Sequence, residues 1–230
     1  MNELQSDVNR LHHLLATAAV KHGGAQRLCD CGSAGWPERG VYFFFDDDEP
    51  CDISGNPRIV RVGTHGLHRG SRSTVWGRLR QHRGPTQGTT PGAGNHRGSV
   101  FRRHVGAALI VSGQWAPDVP TWGTNSSADP ETRKSESDLE RTVGVYIGAL
   151  QFLVVPVLDD PSPSSQRGFI ERNAIALLGA AARAGLVAAG EGWLGLHSDR
   201  CEIRASALWN VNHVNDEYDR AFLDAIERSV

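Results

Sequence analysis

An α+β fold is what the sequence predicts, and three observations carry that expectation. Short runs of aromatic and β-branched residues, "GVYFFF" at 40–45 and "RIVRVG" at 58–63, have the composition of strands. Elsewhere apolar residues recur every three or four positions, the helical period: Leu4, Val8, Leu11, Leu15 and Ala18 near the start, and a second such run over 166–184. The two kinds of element do not alternate as regular βαβ units, so a doubly wound parallel sheet is not expected. The picture is a small central antiparallel or mixed sheet flanked by helices.

Taken in order, a helix is expected over 3–21 and a Gly-rich loop over 23–39. The strands at 40–45 and 58–63 form a hairpin around "DDDEPCDISGNP", whose composition is that of an exposed turn. Ser73 or Thr74 can cap a helix over 75–83, because a side-chain oxygen there accepts from the free N–H groups of the first turn. Residues 84–99 read as a flexible loop, "VFRRHVGAALIVS" at 100–112 as a third strand, and 113–136 as irregular. A helix over 137–150 precedes the strand "QFLVVPVL" and the helix at 166–184. After a mixed stretch at 191–215, Asn215 is the expected cap of a last helix with Tyr218, Phe222, Ala225 and Ile226 on one face.

The chain has 230 residues, 39% of them hydrophobic, enough to build a core. Its apolar runs are too short to span a bilayer, and the first residues do not read as a secretory leader. Cys29, Cys31, Cys51 and Cys201 lack paired zinc-site spacing and are expected to be reduced thiols of a cytoplasmic protein. The charge is segregated. Arg58 to His104 contains ten arginines, five histidines and no carboxylate, so this block carries +10 and the remainder −12. Such a block is either one face for a polyanion or a set of arginines paired with acids from other segments.

Two helices aim ionisable groups at the core. On a helix over 75–83, Val75 and Leu79 form an apolar stripe, Arg78 and His82 lie together on its border, and Arg80 points away. On the helix at 166–184, Glu171 precedes Ala174, Ile175 and Leu178 by three, four and seven residues, so its carboxylate points inward. An inward carboxylate requires a cation, either an arginine or a metal ion.

The pair Gly40-Val41-Tyr42 and Arg61-Val62-Gly63, followed by a helix reading R-x-x-x-H and a later helical glutamate, resembles the GIY-YIG nuclease family, nearest its restriction-endonuclease branch. The resemblance implies a nuclease core over about 38–190, with residues 1–37 as an N-terminal helix and loop and 191–230 as a C-terminal extension. It implies a divalent-metal-dependent DNA endonuclease in which Tyr42, Arg61, Arg78, His82, Glu171 and a late asparagine, Asn210, form the site. Glu171 would hold one Mg2+ (or Mn2+). The implied partner is double-stranded DNA, cut by a single chain or a homodimer. Arg61 departs from the family pattern, standing where it has a tyrosine. His96 and Arg97 on the Gly-rich loop and Arg102 and Arg103 beyond it are the expected DNA contacts. The alternatives are a DNA-binding module on the same fold without catalysis, and a structural protein whose arginines pair with its own acids.

Overall fold

The computed structural model describes residues 2–49, 53, 55–85, 94–116 and 118–230. The expected turn residues 50–52 and 54 and the loop residues 86–93 lie outside them. The α+β expectation holds. Among the described residues there are eight α-helices and one sheet of four strands: β1 (Gln26–Arg27), β2 (Gly40–Asp46), β3 (Arg58–Gly63) and β4 (Gln151–Pro156), in the order β1-β4-β2-β3. Every pairing is antiparallel.

Both faces of the sheet are covered, so β2 is buried along most of its length and its side chains alternate between two cores. Val41 and Phe43 pack with α1 (Glu3–His22), α6 (Gln166–Arg183) and α8 (Ala221–Glu227). Tyr42 and Phe44 pack on the other side with α2 (Val75–Arg83), α3 (Val100–Val111) and α5 (Ser137–Ala149). Both chain ends thus contribute to the first core, since Leu11 and Leu15 of α1 meet Phe222 and Ile226 of α8 there. No helix is long and apolar enough to cross a membrane among the described residues.

The free edge of β3 is covered by the segment after α7 (Cys201–Ser206). The Trp209 amide donates to the Val60 carbonyl at 2.7 Å. The Asn210 side chain accepts from the Val62 amide at 3.1 Å and donates to the Val62 carbonyl at 2.9 Å, as a neighbouring strand would.

Several local expectations change. Residues 100–111 form helix α3 and not a strand: Ser99 caps it through the Arg102 amide, and Phe101, Val105, Ala108 and Leu109 recur at helical spacing on its buried side. The β-branched and aromatic residues gave this stretch strand composition, but Gly106, Ala107 and Ala108 at its centre have no such preference. Gly106 is required there because a Cβ would overlap the Trp122 indole. The 23–39 loop contains β1 and a short 3-10 turn, and Pro130–Ser135 form a short helix, α4, within the stretch expected to be irregular. The last helix starts at Ala221, so Asn215 is not its cap; the Asn215 side chain accepts from Arg183 instead. Tyr218 precedes the helix and donates its hydroxyl to Asp7. The expected exposed turn also holds Glu49, which is buried against Arg58 at 2.8 Å.

Candidate active site

The hairpin builds the floor. Tyr42 stands opposite Gly63, and its hydroxyl lies where a Cβ at position 63 would be, so glycine makes room for the ring. The register shifts between Phe44 and Phe45: Phe44 faces Arg61 and Phe45 faces Ile59, leaving Val60 as the extra residue of a β-bulge. Strict alternation would send Arg61 to the same face as Ile59. The bulge carries it to the Tyr42 face instead. There the Arg61 guanidinium lies 4.8 Å from the Phe101 ring centroid and donates to the Trp209 carbonyl at 2.6 Å.

Helix α2 supplies two groups. Thr74 caps it by accepting from the Gly77 amide at 3.1 Å, and Val75 and Leu79 are buried as the periodicity requires. His82, one turn after Arg78, is fully buried, with Nε2 2.9 Å from the Tyr42 hydroxyl oxygen and Nδ1 2.8 Å from Ser99 Oγ. Arg78 is half-buried and donates to Gln81 Oε1 and the Gly98 carbonyl, each at 3.0 Å. From the opposite core, α6 brings Glu171 to the end of β3, where its Oε1 accepts from the Thr64 amide at 3.0 Å.

Arg61, Arg78, Glu171 and Asn210 line one cleft of about 540 Å³, shared with Arg103, His104, Arg200 and His213. Tyr42 and His82 are buried beneath it rather than on its wall. A larger cavity of about 680 Å³, beside Lys21, Asp30 and Trp36, gathers none of these groups.

Burial dominates the electrostatics. It pushes the Tyr42 phenol above its ordinary value, against the opposing pull of Arg61 and Arg78. It drives His82 well below the usual histidine range, and the cations of Arg78, Arg61 and Arg102 push the same way, so the imidazole is neutral. His104 falls to about 4 through burial and the nearby Arg61 and Arg103. Burial raises the Glu171 carboxyl, with the Thr64 amide and Arg61 opposing. Among the described residues no cluster of three or more histidine, cysteine or carboxylate side chains could hold a metal. Glu171 is the one carboxylate among the described residues that line this cleft, so a divalent ion held there would take its other ligands from water and substrate oxygens.

Three of the four expected DNA contacts are directed inward. Arg102 is fully buried and meets the Glu140 carboxylate of α5 at 2.6 Å, while His96 donates its amide to the other Glu140 oxygen at 2.6 Å. Arg97 makes a fork with both Glu136 oxygens at 2.6 and 2.8 Å. Carboxylates from outside the basic block consume these charges, as Glu49 consumes Arg58. Arg103 is exposed at the cleft. Asn210 lines the cleft too, but its amide is occupied by the Val62 backbone. Sequence reading did not reach Ser99, Thr64, His104 or Arg200. Only Ser99 left a signal, as a cap residue before a run that is in fact helical.

The site thus consists of an antiparallel hairpin with a tyrosine over a glycine, an Arg–His helix beside it and a glutamate arriving from a later helix. The family model described as GIY-YIG domain matches residues 2–230. The chain belongs to the GIY-YIG family, whose members are in general nucleases acting on DNA and typically use divalent metal ions. No curated protein and no solved structure matches it. A literal Tyr146-Ile147-Gly148 also occurs, but it lies within α5, whereas Arg61-Val62-Gly63 lies on β3 opposite Phe44, Phe43 and Tyr42.

Proposed function

We propose that this chain is a Mg2+-dependent (or Mn2+-dependent) endonuclease that hydrolyses double-stranded DNA, in restriction or a related form of DNA defence. The observation that carries the reading is the convergence of Arg61, Arg78 and Glu171 on one cleft above Tyr42. Glu171, whose second oxygen makes no hydrogen bond to the described protein, would hold the ion, which when bound neutralises charge on the phosphate and its leaving oxygen.

The remaining work falls to the chain itself. Arg61 and Arg78 clamp the scissile phosphate, and charge-assisted contacts of this kind strengthen as the pentavalent transition state gathers charge. Arg78 is held by Gln81 and the Gly98 carbonyl and lies beside the Tyr42 hydroxyl, so its swing onto the phosphate opens that hydroxyl to the cleft. Tyr42 accepts a proton from the attacking water while passing its own hydroxyl proton to the neutral His82 imidazole, 2.9 Å away, as the new oxygen–phosphorus bond forms and the bond to the 3′ oxygen breaks. Arg61 takes the place of the family's second tyrosine as a fixed cation beside that hydroxyl. One cleft cuts one strand, so cleavage of both strands requires a pair of chains, which sedimentation on DNA would test. The free thiols of Cys29, Cys31 and Cys201 accord with a reducing, cytoplasmic setting.

Incubating the chain with plasmid DNA, with and without Mg2+, tests the reading. Metal-dependent nicking or linearisation is the expected result. Salt-sensitive DNA binding without cleavage would instead mark a binding module that has lost catalysis.

A further inference from the structure

Helix α3 brings Val100, Arg103 and His104, at spacings of three and four, to the wall of the cleft. His104 is 5% exposed, yet neither of its ring nitrogens makes a hydrogen bond to a described residue. The histidines deeper in the same core differ. His82 has both nitrogens occupied, by Tyr42 and Ser99, and His96 has both occupied, by Glu140 and the Gly123 amide. A buried imidazole without partners has lost its hydration uncompensated, and at a cleft wall a ligand can supply the missing bond. The surroundings say which kind of ligand. The charges that act most on His104 are three cations, Arg61, Arg103 and Arg200, and one carboxylate, Asp199. Arg103 is exposed, and Arg200 meets Glu202 at 3.1 Å in an exposed pair. Burial and the cations bring His104 down to about 4, so at pH 7 the ring is neutral and offers one N–H and one lone pair. Arg61 is shared, since it acts on Tyr42 and Glu171 as well as on His104.

We infer that His104, with Arg103 and Arg200, forms a second phosphate subsite in the cleft, which holds the backbone phosphate next to the one being cut. The inference rests on the nuclease reading, which puts the scissile phosphate against Glu171, Arg61 and Arg78. A phosphodiester carries a negative charge and only acceptor oxygens, so it suits a ring N–H set among cations. A base edge mixes donors and acceptors and gives no use to flanking arginines on both sides. No protein group fixes the His104 tautomer, so the proton can occupy whichever nitrogen meets the phosphate. A neutral donor also fills the buried position without the repulsion that a further cation would bring before DNA arrives. Because the phosphate it holds does not react, His104 is a binding residue: it sets the register of the strand so that the neighbouring phosphate lies over the Glu171 end of the cleft.

Calorimetric titration with thymidine 3′,5′-bisphosphate and with thymidine 5′-monophosphate, each with Ca2+ present, compares two linked phosphates with one. His104→Leu removes both ring nitrogens and no charge at pH 7. It should weaken the bisphosphate about tenfold, the scale of one hydrogen bond to a charged group, and leave the monophosphate within a factor of about two. The melting temperature without ligand should stay the same or rise, because no hydrogen bond to the protein is lost. Equal loss on both ligands, or loss on neither, overturns the inference. Weaker binding of duplex DNA with an unchanged bisphosphate also overturns it, since His104 would then read a base. Proton–nitrogen NMR on the wild-type chain needs no substitution that the fold must tolerate: the His104 ring signals should move with the bisphosphate and not with the monophosphate, and a ring that ignores both sinks the subsite. Plasmid left uncut by the wild-type chain would refute the nuclease reading, while these titrations would still decide whether His104 holds a phosphate.

Discussion

Glu171 is a half-buried carboxylate whose desolvation is only partly offset by Arg61, His213 and Arg78 nearby. Among the described residues its one hydrogen bond is from the Thr64 amide, and burial raises its pKa above the ordinary carboxylate value. A raised carboxyl pKa means that folding disfavours the charged form, so the cost appears as pH rises through the ordinary carboxylate range and persists at neutral pH. Glu171→Gln should therefore raise the melting temperature of the metal-free chain at pH 7, by about 2–4 °C for each kcal/mol relieved; scanning calorimetry at pH 7 checks it. The same change should abolish metal-dependent cleavage while leaving DNA affinity intact or slightly higher, since it also removes a negative charge beside phosphate. Arg78→Ala should lower the cleavage rate by about 10²–10³-fold, the value of one transition-state donor, with a small effect on binding in gel shifts. Wild-type cleavage by Arg78→Ala would leave that arginine as a surface group on α2. Tyr42→Phe keeps the ring over Gly63 and removes only the oxygen, so a large loss of rate assigns that oxygen to proton transfer.

At the scale of elements, the α3–α5 contact is ionic at its centre. Arg102 forks onto Glu140 and also donates to the His82 carbonyl at 2.8 Å, so it ties α3, α5 and α2 together. Burial alone would raise the Glu140 carboxyl, but its hydrogen bond with His96 and the Arg102 charge hold it below the ordinary range. A depressed carboxyl pKa contributes stability that is present above the unfolded value of about 4.3 and is lost as pH falls through the lower folded value. Arg102→Met should cost about 3–5 kcal/mol, because it strands a buried carboxylate. Replacing both partners, Arg102→Met with Glu140→Leu, should recover much of that loss in urea unfolding. The β3 bulge is the second element-scale device: it lets Ile59 and Arg61, two positions apart, face different cores, across from Phe45 and Phe44 respectively.

For the whole molecule, the basic block is two things at once. Three of its ten arginines, Arg58, Arg97 and Arg102, are matched by Glu49, Glu136 and Glu140 inside the protein. Arg69, Arg72, Arg80 and Arg103 of the block are exposed, as is Arg200 outside it. DNA affinity should accordingly fall with salt by about 0.9 powers per phosphate contacted. Replacing Arg103 and Arg200 with alanine should lower that slope without moving the melting temperature. Replacing Arg97 and Arg102 should do the reverse. Salt titrations and thermal melts on the same two double variants separate the two populations.

Local pattern was enough for the hairpin at 40–63, the helix at 75–83 with Arg78 and His82 one turn apart, and the helix that points Glu171 inward. Each depends on periods of two or 3.6 residues and on a capping hydroxyl, all written in neighbouring positions. Only the tertiary structure decided which charges are free. Arg97 and Arg102 find their carboxylates 39 and 38 residues away, and Asn210 finds the β3 edge 148 residues away. No local period encodes such pairings. The strand expected at 100–112 failed for the same reason: its apolar residues fit either period, and packing of Phe101 and Val105 in the second core, behind the Ser99 cap, chose the helix. The candidate site was legible as an ordered set of residue types. Its geometry required a bulge, a glycine under a tyrosine ring and a covered sheet edge, which arise only when distant segments meet.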